Sequence, residues 1–327
     1  MILSTNLIKY KKCIVNNGKN CMKMKKIFIC GIGGLVGSKL ADIAKNRFDV
    51  YGSYNLRNPK FDFVKSFQLD ITNNDKLEHL ITEIKPDIII NATALNNVDY
   101  CETHKKKADE INFKSVLKLS EISNLLNCKF VHLSTDSVFD GLKTEPYFES
   151  DIPNPINNYG RSKLFGENTV INFKSNLIIR ASVLYGWLPK SICEIETSSL
   201  KQFNFAQWLI LKLNSKENIN VISDEYSSPI IADDFAHSII HLVLGNHYGI
   251  FHSAPPINIS RYDFSIKLAN FLNLDSSLII PTTIEKLGRV VPTAKNKCLN
   301  STKIINTNFK FLTLEESFEL IKNQMLF

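Results

Sequence analysis

The sequence predicts a doubly wound α/β fold, a parallel sheet covered by helices on both faces, with a smaller domain at the C-terminal end. Three observations predict it. From Lys25 onward, short apolar runs (KIFIC, DVYGSY, DIIINA, FVHLS) alternate with longer amphipathic stretches such as LVGSKLADIAKN, and strands that alternate with helices pair in parallel through right-handed crossovers. The first run leads into GIGGLVG, glycine-rich at the point where a strand must turn into a helix. With 327 residues, 44% of them hydrophobic, the chain can also bury a core large enough for a nucleotide-binding domain and a second, smaller one.

In order, residues 1–24 read as a basic flexible leader, and Met22 or Met24 is a candidate start. Residues 25–186 read as the dinucleotide-binding domain, in which NLIIRASVLYG is a further strand after the helix around Gly160–Phe173. Beyond Trp187 the rhythm changes to a polar stretch, a helix near Phe203–Asn214 and short mixed elements. Residues 187–327 are therefore expected to form mainly the smaller domain, interleaved with the last strand or strands of the large sheet.

Net charge is +7, but Lys9, Lys11, Lys12, Lys19, Lys23, Lys25 and Lys26 stand in a stretch without an acid. Setting those seven aside leaves a neutral body, which argues against a nucleic-acid surface. The seven cysteines form no C-x-x-C pair and are odd in number, so reduced thiols in a cytoplasmic protein, with no metal site, are expected. No apolar run approaches the roughly 20 residues that span a bilayer, and no membrane association is expected.

In G-x-x-G-x-x-G, Gly31 permits the tight turn, Gly34 lets backbone approach a pyrophosphate, and Gly37 lets helix and strand pack closely. The cofactor is therefore expected on Gly31, Gly33, Gly34, Leu35, Val36 and Gly37. The second strand ends in Ser53-Tyr54-Asn55-Leu56-Arg57, with no acid to bond a ribose 2′-hydroxyl and with a cation suited to a 2′-phosphate. NADP(H) is favoured, with NAD(H) the alternative, and a solvated loop charge is the competing reading of Arg57. Asp70 and Ile71 end a third apolar run where an adenine can be bonded. Ala92, Thr93 and Ala94 are small enough at their strand end for a cofactor to lie against the backbone.

The strand FVHLS ends in Ser134-Thr135-Asp136, and 24 residues after Thr135 comes Tyr159-Gly-Arg-Ser-Lys163 at the start of a helix. Tyrosine and lysine four apart share one helix face, so the ammonium can lie near the phenol and favour its ionised form. Tyr159 is then the proton donor to a carbonyl oxygen that Thr135 bonds, and Lys163 also holds the cofactor ribose. Tyr159–Lys163 is the only Y-x-x-x-K pair among ten tyrosines.

From about Lys25 to the C-terminus the chain resembles the dTDP-4-dehydrorhamnose reductase family of extended short-chain dehydrogenases/reductases. The stretches that carry the resemblance are STDSVFDG (134–141), PYFESDIPNPINNYGRSKLFGE (146–167), NATALNNVDYCE (91–102) and RASVLYG (180–186). It implies Thr135, Tyr159 and Lys163 as the catalytic triad, Asp136 as an extra acid, and Asn96, Val98, Thr135, Ser137 and Val183 beside the sugar. The implied partner is a nucleotide-sugar substrate, and the implied assembly a monomer or homodimer.

Ser137, Asn96 and Val183 depart from the family's usual tyrosine, threonine and tryptophan, and the late arginine-proline element is only loosely present in GRVVPTAKNKCLN (288–300). These departures leave reduction chemistry intact and leave open the sugar and the cation that meets the substrate phosphates. Dehydration is disfavoured, because Ser137 stands where a second acid is needed. The alternatives are reduction of another nucleotide-linked keto sugar and a non-catalytic regulator resembling the methionine adenosyltransferase beta subunit.

Overall fold

The computed structural model describes residues 24–188, 190–197, 199–200 and 202–326. The expected leader lies outside them except for Met24. Seven strands form one parallel sheet in the spatial order β3-β2-β1-β4-β5-β6-β7. They are β1 (Lys26–Cys30), β2 (Asp49–Tyr54), β3 (Val64–Gln68), β4 (Ile88–Asn91), β5 (Lys129–Thr135), β6 (Leu177–Ala181) and β7 (Gly249–Ser253). The labelled helices are α1 (Leu35–Ala44), α2 (Asn74–Ile84), α3 (Val98–Thr103), α4 (Lys105–Asp109), α5 (Ser115–Leu125), α6 (Asn158–Val170), α7 (Phe205–Asn214), α8 (Ala232–Leu244), α9 (Arg261–Phe271) and α10 (Leu314–Gln324).

The period-two alternation of β1 explains the two covered faces. Ile27 and Ile29 pack with Leu40 and Ala41 of α1 and with Phe235 and Ile239 of α8. Phe28 and Cys30 point the other way, into a cluster with Leu77 and Ile81 of α2 and Val116 and Leu119 of α5. A strand buried on both faces has no polar side to spare, which is why these strands read as continuous apolar runs. Strand order reverses between β1 and β4, and ligands of such sheets bind in the crevice at the carboxyl ends of that pair.

A second cluster, including Leu209, Ile210, Val221, Phe264, Leu268 and Phe318, builds a smaller lobe from α7, α9 and α10 around the parallel strands Ile219–Ile222 and Ile279–Thr282. Residues of the 187–327 stretch also return to the large sheet: β7 pairs with β6, and α8 covers the face shared with α1. No helix among the described residues is long and apolar enough to cross a membrane.

One expected element is divided. NLIIRASVLYG is not a single strand: Leu177–Ala181 belongs to the large sheet, whereas Leu184–Tyr185 pairs with Ile230–Ile231. Polar satisfaction accounts for the break. The Ser182 hydroxyl donates to Asp136 Oδ2 at 2.9 Å, and Ile230 N donates to Val183 O at 3.0 Å, so the chain leaves the sheet where these bonds take it.

Candidate active site

The glycine turn joins the end of β1 to the start of α1. Gly31 has φ +85°, a conformation that glycine adopts without strain. A Cβ on Gly37 would stand 2.1 Å from Gly31 O, so α1 can begin against the turn only without one. At Gly34 a Cβ would meet nothing nearer than Gly31 O at 3.4 Å, leaving its outer side open. Gly34 caps α1 without a side-chain bond, so the free N–H groups of the first turn, at Leu35, Val36 and Gly37, face that opening. Gly33 serves differently, because its missing side chain admits the backbone of Arg57: a Cβ there would lie 2.1 Å from Arg57 O.

Arg57 is not a solvated loop charge. It is 8% exposed, and its guanidinium donates from Nε to Ile195 O (3.1 Å) and from Nη2 to Cys193 O (3.4 Å). Those carbonyls belong to a segment about 140 residues away in sequence, folded over the end of β2. Thr93 and Ala92 lie against Gly31, across the β1–β4 crevice, with Thr93 Cγ2 2.8 Å from where a Gly31 Cβ would be. Thr93 is held by Asn91 Oδ1, which accepts its N–H (3.1 Å) and hydroxyl (2.5 Å). Asp70 is turned into its own loop, accepting from Thr72 N and Oγ1 at 2.9 and 2.8 Å. Desolvation pushes its carboxyl up, but those two bonds and the Lys107 charge carry it below its ordinary value. Ile71 is buried, and Ala94 is exposed at the rim.

Tyr159 lies in the first turn of α6, which Asn157 caps by accepting from Gly160 N at 2.9 Å. The helix approaches the 3-10 turn Asp136–Val138 so closely that a Cβ on Gly160 would meet Ser137 O at 2.0 Å, bringing phenol and strand end together. Burial pushes the phenol far above its ordinary value; the Thr135 hydroxyl, in hydrogen-bond reach, draws it down, while Asp136 and Cys101 raise it.

Lys163 does not act as expected on that phenol. Its ammonium donates to Leu133 O (2.7 Å) and meets His132 Nε2 (3.2 Å). The two side chains share a helix face, but Lys163 reaches across to β5. Burial leaves the Tyr159 phenol protonated, the opposite of the ionised form expected from an ammonium alongside it. Burial brings Lys163 down to about 8, with Glu167 opposing, and burial followed by the Lys163 charge holds His132 neutral, well below its ordinary value.

Asp136, 4% exposed, accepts three hydroxyls: Thr135 and Ser137 at Oδ1 (both 3.1 Å) and Ser182 at Oδ2 (2.9 Å). Ser182 in turn accepts from Ser228 N at 3.1 Å. With its proton given to Asp136, the Thr135 oxygen is an acceptor, and Ser137 N already donates to it at 3.1 Å. Asp136 thus orients hydroxyls rather than standing free as an acid.

Asn96 is exposed after β4, Val98 opens α3, and Val183 follows Ser182 beside Phe205, Ser227 and Arg261. The arginine-proline element places Arg289 and Lys297 on Glu225, where Arg261 joins them (3.5, 3.0 and 3.1 Å). Among the described residues no cluster of His, Cys, Asp or Glu can hold a metal.

Sequence reasoning missed several residues. Asn112 sits in a π-helical turn, Glu110–Lys114, between α4 and α5. It accepts from Leu95 N (2.8 Å) and donates to Leu95 O (3.0 Å) and Ser162 Oγ (3.0 Å), tying the loop after β4 to α6. No residue pattern announces a π turn, although such turns cluster at functional sites. The bidentate pair of Arg180 and Glu167 (2.9 and 2.6 Å), with both side chains at most 3% exposed, fixes α6 against β6. Both residues stand in stretches that carry the family resemblance, Glu167 at the end of 146–167 and Arg180 at the start of 180–186, but nothing in the sequence pairs them.

The RmlD substrate binding domain family matches residues 24–325. The chain belongs to that family. A probable low-salt glycan biosynthesis reductase of Haloferax volcanii is 31% identical over 279 residues, covering 85% of this chain and 90% of the relative. The solved dTDP-4-dehydrorhamnose reductase of Bacillus anthracis in complex with NADP is 27% identical, with a TM-score of 0.80 over 92% of this chain and 99% of that one. The chain is also similar to the methionine adenosyltransferase 2 subunit beta of Bos taurus, 26% identical over 268 residues, 79% of this chain and 75% of the relative.

Proposed function

We propose that this protein uses NADPH to reduce the 4-keto group of a nucleotide-linked deoxy sugar, with dTDP-4-dehydrorhamnose the preferred substrate and dTDP-L-rhamnose the product. The observation that carries the reading is the neutral Tyr159 phenol beside Thr135 at the end of β5, with Lys163 one helical turn on, at the end of the sheet where the open glycine turn lies. The likeness to an NADP-bound dTDP-4-dehydrorhamnose reductase supports it.

The crevice fits a dinucleotide, because Gly34 and the free N–H groups of α1 leave room and charge for a pyrophosphate. Gly31, Gly33, Gly34, Leu35, Val36 and Gly37 would hold it, with Arg57 at the adenosine ribose, Asp70 and Ile71 at the adenine, and Ala92, Thr93 and Ala94 along its length. Bound, the reduced nicotinamide supplies a hydride. Tyr159 gives its proton to the substrate oxygen, so that C=O becomes CH–OH, and Thr135 orients that oxygen. Lys163, charged below about pH 8, holds the ribose hydroxyls. Asn96, Val98, Ser137 and Val183 would face the sugar.

The test is turnover of dTDP-4-keto-6-deoxy-L-mannose with NADPH, alongside UDP-linked analogues, for the wild type and Tyr159→Phe. The variant is expected to lose about 10²–10⁴-fold in kcat while retaining NADPH affinity. Undiminished turnover by Tyr159→Phe would refute the assignment. So would NADPH binding without turnover combined with stoichiometric capture of a methionine adenosyltransferase catalytic subunit.

A further inference from the structure

Three buried polar side chains form a chain from the crevice to Lys163. Asn91, His132 and Lys163, on β4, β5 and α6, are each at most 1% exposed. Asn91 Oδ1 accepts from Thr93 N and Thr93 Oγ1. A backbone N–H can only donate, so these bonds fix which end of the amide is oxygen and turn its NH2 group to His132 Nδ1, at 3.5 Å. On the other side of the ring, His132 Nε2 lies 3.2 Å from Lys163 Nζ.

The hydrogens do not balance while Lys163 is charged. An ammonium and an amide NH2 are both donors, yet a neutral imidazole has one lone pair and one N–H, so it can accept at only one end. The charge-assisted bond is the stronger. Nε2 therefore accepts from the ammonium, the ring hydrogen sits on Nδ1, and the longer contact, to Asn91, sets donor against donor. When Lys163 releases its proton to solvent, the ring hydrogen moves from Nδ1 to Nε2 and donates to the lone pair on Nζ, while Nδ1 accepts from Asn91. Both ring nitrogens are then satisfied. Burial keeps His132 neutral in both states. Burial also lowers Lys163 to about 8, and relief of the frustrated contact acts in the same direction. The other titratable groups around the pair are Tyr159 a turn earlier on α6 and Glu167 a turn later, the latter opposing the shift and bound by Arg180 of β6.

We propose that His132 is a positioning residue for Lys163 and that Asn91 sets its tautomer. With Leu133 O, Nε2 takes two of the three ammonium N–H groups and leaves the third for a ligand in the crevice, while the Asn91 NH2 gives the uncharged amine a fully bonded ring to face. The consequence for the cofactor rests on the ribose contact proposed above.

The test reads the ring itself, by nitrogen NMR of protein carrying isotope-labelled histidine. The His132 ring is expected to stay neutral, with its hydrogen on Nδ1 at about pH 7 and on Nε2 at about pH 10. Lys163→Met should hold it on Nε2 throughout. Asn91→Leu removes the competing donor without adding charge, and should raise the pH of the exchange by about one unit, a tenfold gain in the proton affinity of Lys163. One tautomer across the whole range in the wild type, or an exchange unmoved by Asn91→Leu, would overturn the proposal. If Asn91→Leu does not fold, Asn91→Asp takes its place: its carboxylate accepts from Nδ1 and should hold the hydrogen there at both pH values, and an exchange that survives it is equally fatal. In fluorescence titration, NADPH affinity should fall about tenfold over the same range, and Asn91→Leu should shift that fall upward with the ring exchange. A ring that exchanges while NADPH affinity stays flat would refute the ribose contact and leave the link from Asn91 through His132 to Lys163 standing.

Discussion

Lys163 is a buried cation, and its cost is readable as pH-dependent stability. Its ammonium is 1% exposed and titrates near 8 in the folded chain, against 10.5 ordinarily. Because the folded value is depressed, the unfolded chain binds more protons between about pH 8 and 10.5, and stability must rise with pH across that window. At 1.36 kcal/mol per tenfold, the contribution at pH 10 exceeds that at pH 7 by roughly 2.5 kcal/mol. His132 is held neutral throughout, so it does not blur the effect. The perturbation is Lys163→Met, which keeps the volume and removes the charge. The assay is urea unfolding of both proteins at pH 7 and pH 10, where the wild type should gain about 2.5 kcal/mol relative to the variant. A parallel response of the two proteins, within about 0.5 kcal/mol, would refute the desolvation argument and with it the placement of the ammonium against Leu133 O.

Arg57→Ala should weaken NADPH about 10- to 100-fold in dissociation constant, the range of a lost charge-assisted bond, and NADH by less. That exceeds what a solvent-exposed arginine would lose, because this guanidinium is buried and already anchored on Cys193 and Ile195; equal losses for the two cofactors would count against a 2′-phosphate contact. Arg180→Met leaves Glu167 buried and uncompensated and should cost about 3–5 kcal/mol in urea unfolding. The two glycines of the turn should separate: Gly37→Ala drives a Cβ into Gly31 O and should destabilise the fold, whereas Gly34→Ala should fold normally and lose dinucleotide affinity, as calorimetry of unfolding and fluorescence titration with NADPH can show.

What the sequence determined by itself was whatever has a local period or a local steric demand. The apolar runs specified buried parallel strands, G-x-x-G-x-x-G specified a strand-to-helix turn that requires glycine at Gly31 and Gly37, and the four-residue spacing put Tyr159 and Lys163 on one face of α6. The end of FVHLS in Ser134-Thr135 coincides with the carboxyl end of β5.

The environment of each charge was decided only by the tertiary structure, because desolvation and hydrogen-bond choice depend on what the crossovers bring together. Arg57 reads as a loop cation until carbonyls from the 190s cover it. Lys163 shares a face with Tyr159, yet its ammonium goes to Leu133 O on β5. The strand after α6 breaks because Asp136, 46 residues earlier, requires the Ser182 hydroxyl. Glu225 and Lys297 lie 72 residues apart and meet only when the last lobe folds back. A pattern of residue types carries the period of an element, but the balance between burying a charge and pairing it is struck only when distant segments close around it.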